Sequence, residues 1–197
     1  TPFLQRPLEL GADIVVHSAT KYLGGHSDVV GGFVATSDPE IAERVGFLQN
    51  AVGAVPSPFD RYLVLRGIKT LAVRMERHCE NASAIVTLLV RHPAVSRVLY
   101  PALADHPGHA IARRQMRDFG AVVSLELAGG LEQAGRFAQS LQYFSIAASL
   151  GSTESLVLPP QMLGGHEYTA EQRAASLIGP GTVRLSIGLE DVSDLIQ

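Results

Sequence analysis

The sequence has little of what would place it in several common protein classes. Its 197 residues include one cysteine, Cys79, and no tryptophan, so an intrachain disulfide or a cysteine-rich zinc site cannot form. Sixteen lysines and arginines against 19 aspartates and glutamates leave a net charge of −3, without the basic surplus typical of nucleic-acid binding. The apolar runs, such as residues 84–90, are too short to cross a bilayer. We therefore expect a globular, cytoplasmic protein with no nucleic-acid and no membrane partner.

The apolar content and the two ends of the chain set its domain organisation. Hydrophobic residues make up 46% of the sequence, which is enough for a sizeable core. A chain of this length forms one large domain or two small ones. It begins at Thr1 without an initiator methionine or a signal sequence, and it stops at Gln197 in what the pattern predicts as the first turn of a helix. We interpret both ends as cuts through a longer protein.

The hydrophobic pattern predicts an α/β fold in two regions joined by a helix. In the first region, Ile14–Val16 has the pattern of a buried strand, and Pro39 begins a helix that reaches Gln49. Apolar residues at helical spacing over 60–90 predict one long helix, or two nearly continuous ones. The second region should form a small, largely antiparallel sheet with helices. Its predicted elements are strands at 95–99, 122–127 and 183–187, helices at 108–118 and 131–141, an extended run at 145–150, and a helix from the capping box Thr169–Gln172 to Gly179.

The first candidate for chemistry is Lys21, which follows the predicted strand and precedes a glycine pair. Open α/β sheets bind ligands where a strand ends in a glycine-containing turn. In an extended segment Ser18 and Thr20 would point to the same side, where their hydroxyls could bind a phosphate. A lysine held beside them could form an imine with an aldehyde cofactor. On residue types alone, an exposed lysine among ordinary loop residues is the more common case.

Arg184 and Ser149 are the other candidate residues. Arg184 projects from the opposite face of its strand to Val183 and Leu185, so it needs a partner, and a substrate carboxylate would be a good bidentate one. A structural salt bridge with an internal acidic residue is the alternative. Ser149 lies just before Gly151 at the end of an extended run, where it could present its hydroxyl to a ligand or simply form a turn.

The same residues argue against metal and nucleotide sites. The histidines, such as His106 and His109, lack acidic or cysteine partners at the spacing of metal ligands. The glycine pairs form neither GxxxxGK[ST] nor GxGxxG, so the usual nucleotide-binding loops are missing. We predict no metal site.

Four segments in the same order resemble the Cys/Met-metabolism family of pyridoxal-phosphate (PLP) enzymes. Residues 1–32 resemble the family's active-site lysine segment, and residues 66–82 resemble its interdomain helix. Residues 149–156 resemble its substrate loop, and Val183–Asp191 resembles its C-terminal signature. The resemblance implies a fold-type I PLP enzyme, of which this chain would be the C-terminal half. Residues 1–74 would end the large mixed-sheet PLP domain, and 75–197 would form a smaller α/β domain whose last helix is cut short.

The resemblance also implies roles for the candidate residues. Lys21 would hold PLP as a Schiff base and move protons between substrate carbons, while Ser18 and Thr20 would bind the phosphate. Arg184 would bind the substrate carboxylate, with Ser149 beside it. The cofactor is the electron sink, and the protein supplies orientation and a mobile base. The implied assembly is a homotetramer, a dimer of dimers with shared active sites.

The implied activity is trans-sulfuration at Cγ of a small amino acid, either a sulfur amino acid or a homoserine ester. We favour the cystathionine γ-synthase/γ-lyase type, with methionine γ-lyase or O-acyl-homoserine sulfhydrylase as the alternative. Two departures bear on the substrate: Ala148 stands where many of the cystathionine enzymes have Glu, and 159–165 lacks the family's usual His-Pro-Ala run. An alternative of another class is a non-catalytic, oligomerising relative or fragment, because much of the family's site is missing from this chain.

Overall fold

The computed structural model describes residues 1–162, 172 and 178–197 as an α/β fold. Its strands are β1 (Val15–Ser18), β2 (Gly32–Ala35), β3 (Val95–Leu99), β4 (Val122–Leu127), β5 (Ser145–Ile146), β6 (Leu156–Leu158) and β7 (Thr182–Ser186). Its helices are α1 (Pro39–Val52), α2 (Pro58–Ile68), α3 (Leu71–Leu89), α4 (His109–Gln115), α5 (Gly130–Ser140) and α6 (Val192–Leu195). The helix predicted from Thr169 to Gly179 falls for the most part outside the described residues.

The first region is a two-stranded antiparallel hairpin with two helices. β1 pairs with β2 so that Val15 faces Ala35 and Ser18 faces Gly32. The Asp38 carboxylate caps α1 by accepting hydrogen bonds from the first-turn amides, and the Ser57 hydroxyl caps α2. A proline stands in the first turn of each helix, where its missing N–H is harmless. The predicted helix at Pro39 is confirmed.

The second region is a five-stranded sheet in the order β3–β4–β7–β6–β5. All neighbours pair antiparallel except β5 and β6, which are parallel. β4 pairs with β7 over its length, and Ser124 lies opposite Arg184. The largely antiparallel sheet predicted from the sequence is confirmed. Arg184 lies on β7, the central strand, which is hydrogen-bonded to a neighbouring strand on each side.

Helix α3 joins the two regions and contributes to two separate cores. Near its N-terminus it packs with the first region through Leu71, Met75 and Cys79, and further along it packs on the five-stranded sheet through Ile85 and Leu89. The spacing of these residues puts them on one stripe of the helix. The second of the two predicted possibilities, two nearly continuous helices, is confirmed because two residues separate the end of α2 at Ile68 from the start of α3 at Leu71.

Three elements differ from the sequence expectation. β6 is a three-residue strand that the pattern did not reveal, because each of its side chains is buried and no alternation marks it. Only Ser145–Ile146 of the predicted extended run pairs as a strand. The helix predicted over 108–118 is limited to His109–Gln115, since the backbone is already extended at Met116.

The first region leaves a broad apolar surface uncovered, which we call the hairpin face. A cavity of about 800 Å³ lies among β1, β2, α2 and the N-terminal segment, and none of the five candidate residues lines it. Val16 is 77% exposed and Val30 85% exposed. Phe33, Leu65 and Ile68 also line the cavity and are exposed, and Ile14 and Val34 are further exposed apolar residues of the same region. An isolated two-stranded hairpin cannot bury both of its faces by itself.

Candidate active site

The turn after β1 places the Lys21 side chain. Ala19–Leu23 forms a single π-helical turn, and Lys21 interrupts it with a non-helical backbone (φ −91°, ψ −127°). The Gly24 amide donates to the Ala19 carbonyl at 2.9 Å, and the Gly25 amide donates to the Lys21 carbonyl at 2.7 Å. The prediction that Ser18 and Thr20 share one side of an extended segment is therefore wrong. The strand ends at Ser18, so strand alternation does not reach Thr20.

One residue of α2 and one residue of α3 lie in close contact with this turn. Gly67 of α2 lies so near the turn that a Cβ there would meet the Gly24 carbonyl oxygen at 2.3 Å. Arg74 of α3 is buried and donates from Nη2 to the Gly67 carbonyl at 2.8 Å and from Nε to the Thr70 hydroxyl at 3.1 Å. Its guanidinium lies against Gly25. The turn that carries Lys21 therefore rests on α2 and α3.

Lys21, Ser149 and Arg184 meet at one point, although they are far apart in the sequence. The Lys21 ammonium donates a hydrogen bond from Nζ to Ser149 Oγ at 3.0 Å. Arg184 donates from Nη2 to the Ser149 carbonyl at 2.9 Å. Ser149 thus accepts from both cations, one through its side chain and one through its backbone. Three of the five predicted site residues are brought together in this way.

Neither cation is paired with a carboxylate among the described residues. The ion pairs found there are Arg6–Glu9 and Arg136–Glu132, both on the surface. Arg184 is half-buried, and burial lowers the pKa of its guanidinium. Its Nε is buried without a hydrogen-bond partner. A half-buried guanidinium with a free donor is suited to bind a carboxylate from outside the chain.

Ser18 and Thr20 lie apart from this cluster of three. Thr20 Oγ1 accepts from the Gly31 amide at 3.0 Å and donates to the Gly31 carbonyl at 3.3 Å, so it ties the turn to the residue before β2. Ser18 is exposed, and its side chain makes no capping hydrogen bond to the turn. To bind a phosphate, Thr20 would exchange its long bond to the Gly31 carbonyl for a phosphate oxygen.

The loop from Ser149 is held to the second region by residues that the sequence analysis did not single out. The Gly151 amide donates to the Ser186 hydroxyl at 2.9 Å. Ser155 donates its hydroxyl to Glu190 Oε2 at 2.8 Å and accepts from the Gly188 amide at 2.8 Å. Glu190 and Gly188 belong to the segment that resembles the family signature. The buried hydroxyls of Ser155 and Ser186 carry no local pattern that could have revealed these contacts.

Tyr22, the residue after Lys21, forms an aromatic pair with the buried His78. Their ring centroids are 5.4 Å apart and the rings are nearly perpendicular. Burial raises the pKa of the Tyr22 phenol to about 12, and the nearby Arg184 charge opposes that rise. Burial also lowers the pKa of His78. Both side chains are therefore neutral at physiological pH, and the site has no second titrating base here.

The described residues contain no group of three or more His, Cys, Asp or Glu side chains arranged to hold a metal ion. Within the same part of the chain, none of the helices combines the length and the apolar character needed to span a bilayer.

An α/β fold with a half-buried lysine in the turn after a strand, beside an arginine and a serine, is suited to hold a small anionic molecule. A family model described as Cys/Met metabolism PLP-dependent enzyme matches residues 1–197. The chain belongs to this family, and the resemblance predicted from its four segments is confirmed. The α/β fold and the PLP cofactor that it implied are properties of the family.

Similar proteins include enzymes with different activities. An L-methionine gamma-lyase of Fusobacterium nucleatum subsp. polymorphum is 50% identical over all of this chain and 50% of its own length. A cystathionine gamma-synthase of Mycobacterium leprae is 52% identical with the same coverage. A crystal structure of cystathionine gamma synthase from Xanthomonas oryzae pv. oryzae, in complex with cystathionine, matches with a TM-score of 0.95 at 49% identity over all of this chain and 51% of that chain. The chain thus spans about half the length of these relatives.

Proposed function

We propose that the complete polypeptide is a PLP-dependent trans-sulfuration enzyme that acts at Cγ of sulfur amino acids or homoserine esters. The observation that carries this proposal is the meeting of Lys21 Nζ and Arg184 at Ser149, within 3.0 Å in each case. An amine and a guanidinium that both contact one serine can engage an amino acid at its reacting carbon and at its carboxylate. The family gives the cofactor.

The residues of the chain fit PLP on chemical grounds. Lys21 Nζ is held by a hydroxyl and has no carboxylate partner among the described residues, so no strong ion pair must be broken before it acts as a nucleophile. Bound PLP supplies an electron sink for the carbons of the amino acid. Lys21 would hold the cofactor, and its Nζ would then carry protons between substrate carbons, with Ser149 Oγ fixing the direction of the amine.

Arg184 would orient the substrate through its carboxylate. One N–H of Nη2 is used on the Ser149 carbonyl, while the buried Nε has no partner. A carboxylate seated on Nε and Nη2 would satisfy that donor, which favours this role over a purely structural one. Ser18 and Thr20 are our candidates for the phosphate, Thr20 after the exchange of its bond to Gly31.

Within this reaction class we favour the cystathionine γ-synthase/γ-lyase type. Methionine γ-lyase or O-acyl-homoserine sulfhydrylase activity is the alternative, since Ala148 is small and leaves no distal carboxylate beside Ser149. The relatives at 50% and 52% identity are named for a lyase and a synthase, so identity does not choose between them. Release of ammonia and an α-keto acid without a thiol acceptor would contradict a purely synthetic role.

The hairpin face supports our proposals on domain organisation and assembly. We assign residues 1–74 to the end of a PLP-binding domain and 75–197 to a smaller substrate domain, and we expect the rest of the longer polypeptide to cover the hairpin face. A homotetramer in the cytoplasm is the assembly we propose. The same exposed surface is what would favour the second candidate function, a non-catalytic relative that acts through subunit contacts.

Trapping the cofactor tests the proposed function in the complete polypeptide. The protein is incubated with PLP and reduced with borohydride, which converts an imine to a stable amine, and the labelled peptide is mapped. We expect the label on Lys21. Lys69, exposed and the only other lysine in this chain, is the matched control, so Lys21→Ala should lose the label and Lys69→Ala should keep it.

Activity separates the two candidate functions. Turnover of cystathionine, methionine and homoserine esters should be abolished by Lys21→Ala and retained by Lys69→Ala. A folded and oligomeric protein with neither label nor turnover would contradict the enzyme and favour the non-catalytic relative. Turnover that survives Lys21→Ala would instead contradict the role assigned to Lys21.

A further inference from the structure

Gly151 and Tyr22 touch at the point where the Ser149 loop crosses the Lys21 turn. An ideal Cβ at Gly151 would lie 2.9 Å from the Tyr22 backbone nitrogen and 3.0 Å from its Cγ. Gly151 also has a left-handed backbone with φ +80°. A side chain at this position would be strained by the backbone and would collide with an atom that cannot move aside, because the nearest contact is a main-chain nitrogen. Only glycine lets the loop approach the turn so closely.

This contact lies close in sequence to both partners of the Lys21–Ser149 hydrogen bond. Tyr22 follows Lys21 directly, and Gly151 is two residues after Ser149. A loop pushed away from Tyr22 would therefore carry Ser149 away from Lys21 Nζ, now 3.0 Å from its hydroxyl. It would also pull the Ser149 carbonyl from Arg184.

Tyr22 is held in place by contacts that lead through α3 and β7 back to the Ser149 loop. The Tyr22 ring packs on His78 of α3, which has no exposed surface. His78 donates from Nδ1 to the Ile187 carbonyl at 2.7 Å, directly after β7. The preceding residue, Ser186, accepts the Gly151 amide. The path thus returns to the loop through the strand that carries Arg184.

We propose that Gly151 and Tyr22 are positioning residues that hold the Ser149 loop in register with Lys21 and Arg184. This inference rests on the proposed function, because the groups being held are those of the PLP site. Neither residue touches the reacting atoms. Their contact sets the spacing of the groups that do, and displacements of about 1 Å at such groups can cost up to about a hundredfold in rate.

The test compares Gly151→Ala with Gly130→Ala in the complete, PLP-loaded polypeptide. Gly130 also has a positive φ, +64°, but nothing lies within 4 Å of an ideal Cβ there, so the control adds backbone strain without the collision. We expect Gly151→Ala to lower kcat/KM for the amino-acid substrate at least tenfold and Gly130→Ala to leave it unchanged.

Hydrogen exchange gives a readout that does not depend on activity. The peptide that covers 149–156 should exchange faster in Gly151→Ala, because the hydrogen bond from the amide of residue 151 to the Ser186 hydroxyl is lost. Peptides of α3 should keep their protection. A general loss of stability would instead raise exchange in both. If Gly151→Ala fails to fold, Tyr22→Leu and Tyr22→Phe replace it, since leucine removes the ring and phenylalanine keeps it. We expect Tyr22→Leu to lower kcat/KM and to speed exchange of the 149–156 peptide more than Tyr22→Phe does.

The outcomes distinguish this inference from the proposed function. An active wild type in which Gly151→Ala matches Gly130→Ala in both measurements would overturn the positioning role alone. Equal behaviour of Tyr22→Leu and Tyr22→Phe would do the same. A wild type that neither binds PLP nor turns over substrate would overturn the proposed function, and the positioning role with it.

Discussion

His78 is a histidine whose two ring nitrogens have different surroundings. Nδ1 donates to the Ile187 carbonyl, so it carries the proton of the neutral ring, and Nε2 is buried without a partner. Burial lowers the pKa of the ring below its ordinary value of 6.5, the Arg74 charge lowers it further, and the bond to Ile187 and the Glu190 charge oppose the shift. Protonation of His78 is therefore less favourable in the folded protein than in the unfolded chain.

We predict an acid-dependent loss of stability that His78 causes. Because the folded pKa lies below the unfolded one, its contribution is complete above pH 6.5 and declines as the pH falls through the folded pKa. His78→Asn keeps a donor for the Ile187 carbonyl without the titration, so the free energy of unfolding should depend less on pH between about 7 and 5. Denaturant titrations at several pH values measure this slope. The exposed His92→Asn serves as control, and an equal effect of both variants would contradict the assignment.

The candidate site was predictable in its residue types but not in its contacts. Lys21 and Ser149 were identified from their places after extended segments, Arg184 from its place on one face of a strand, and all three from the family resemblance. The structure brings them together. The pairing of Ser18 with Thr20 failed because it assumed strand alternation through a π-helical turn. The contact between Tyr22 and Gly151 joins residues 129 positions apart and depends on a positive φ, which no local pattern encodes.

At the scale of elements, α2 is positioned against the Lys21 turn through a single glycine. A Cβ at Gly67 would meet the carbonyl oxygens of Gly24 and Leu23 at 2.3 and 2.5 Å. Both are main-chain atoms of the turn, so the helix could accommodate a side chain only by moving away. This close approach sets the distance between α2 and the turn.

Gly67→Ala should therefore destabilise the protein, although alanine is the better helix former. Overpacking of this kind costs about 1–3 kcal/mol in free energy of unfolding. Gly46 is the matched control, because it lies inside α1 with nothing within 4 Å of its ideal Cβ. Gly46→Ala should stabilise the protein by about 0.5–1 kcal/mol. Chemical denaturation of both variants measures the difference. A stabilising effect of Gly67→Ala would show that the helix and the turn are not held at this distance.

The helices were more predictable from the sequence than the short strands. The cap at Asp38 and the prolines in the first turns of α1 and α2 are local signals, and the apolar stripe of α3 is long enough to be unambiguous. β5 and β6 have two and three residues, and their pairing depends on the sheet around them. Strands this short exist because neighbouring strands complete their hydrogen bonds, so their own sequences say little.

At the scale of the whole molecule, the two regions differ in how completely they are covered. The five-stranded sheet has a continuous core with α3 and α5. The first region contributes a small cluster around Leu4, Leu71 and Met75, and it leaves the hairpin face exposed. Since the chain spans about half the length of its relatives, this imbalance is what a shared core with further polypeptide would produce.

A charge on the hairpin face tests whether it is covered in the complete polypeptide. Val16→Lys would then bury an ammonium, and we expect a loss of about 2 kcal/mol or more in free energy of unfolding together with loss of PLP absorbance. Val90, an exposed valine at the end of α3, is the control, and its change to lysine should stay within about 0.5 kcal/mol. Similar small effects of the two substitutions would mean that the hairpin face stays in water.

The single helix that serves both cores has a consequence for how such a chain can change in length. Each residue of an α-helix advances the side-chain direction by about 100°, so one residue added between Cys79 and Ala82 would turn the apolar side chains on one side of the insertion away from their core while those on the other side stayed in place. Loops elsewhere can absorb insertions without such a rotation. The number of residues in α3 between the two cores is therefore constrained, because both sets of apolar side chains must face their cores at once. Related chains should vary in length in their loops rather than within this helix.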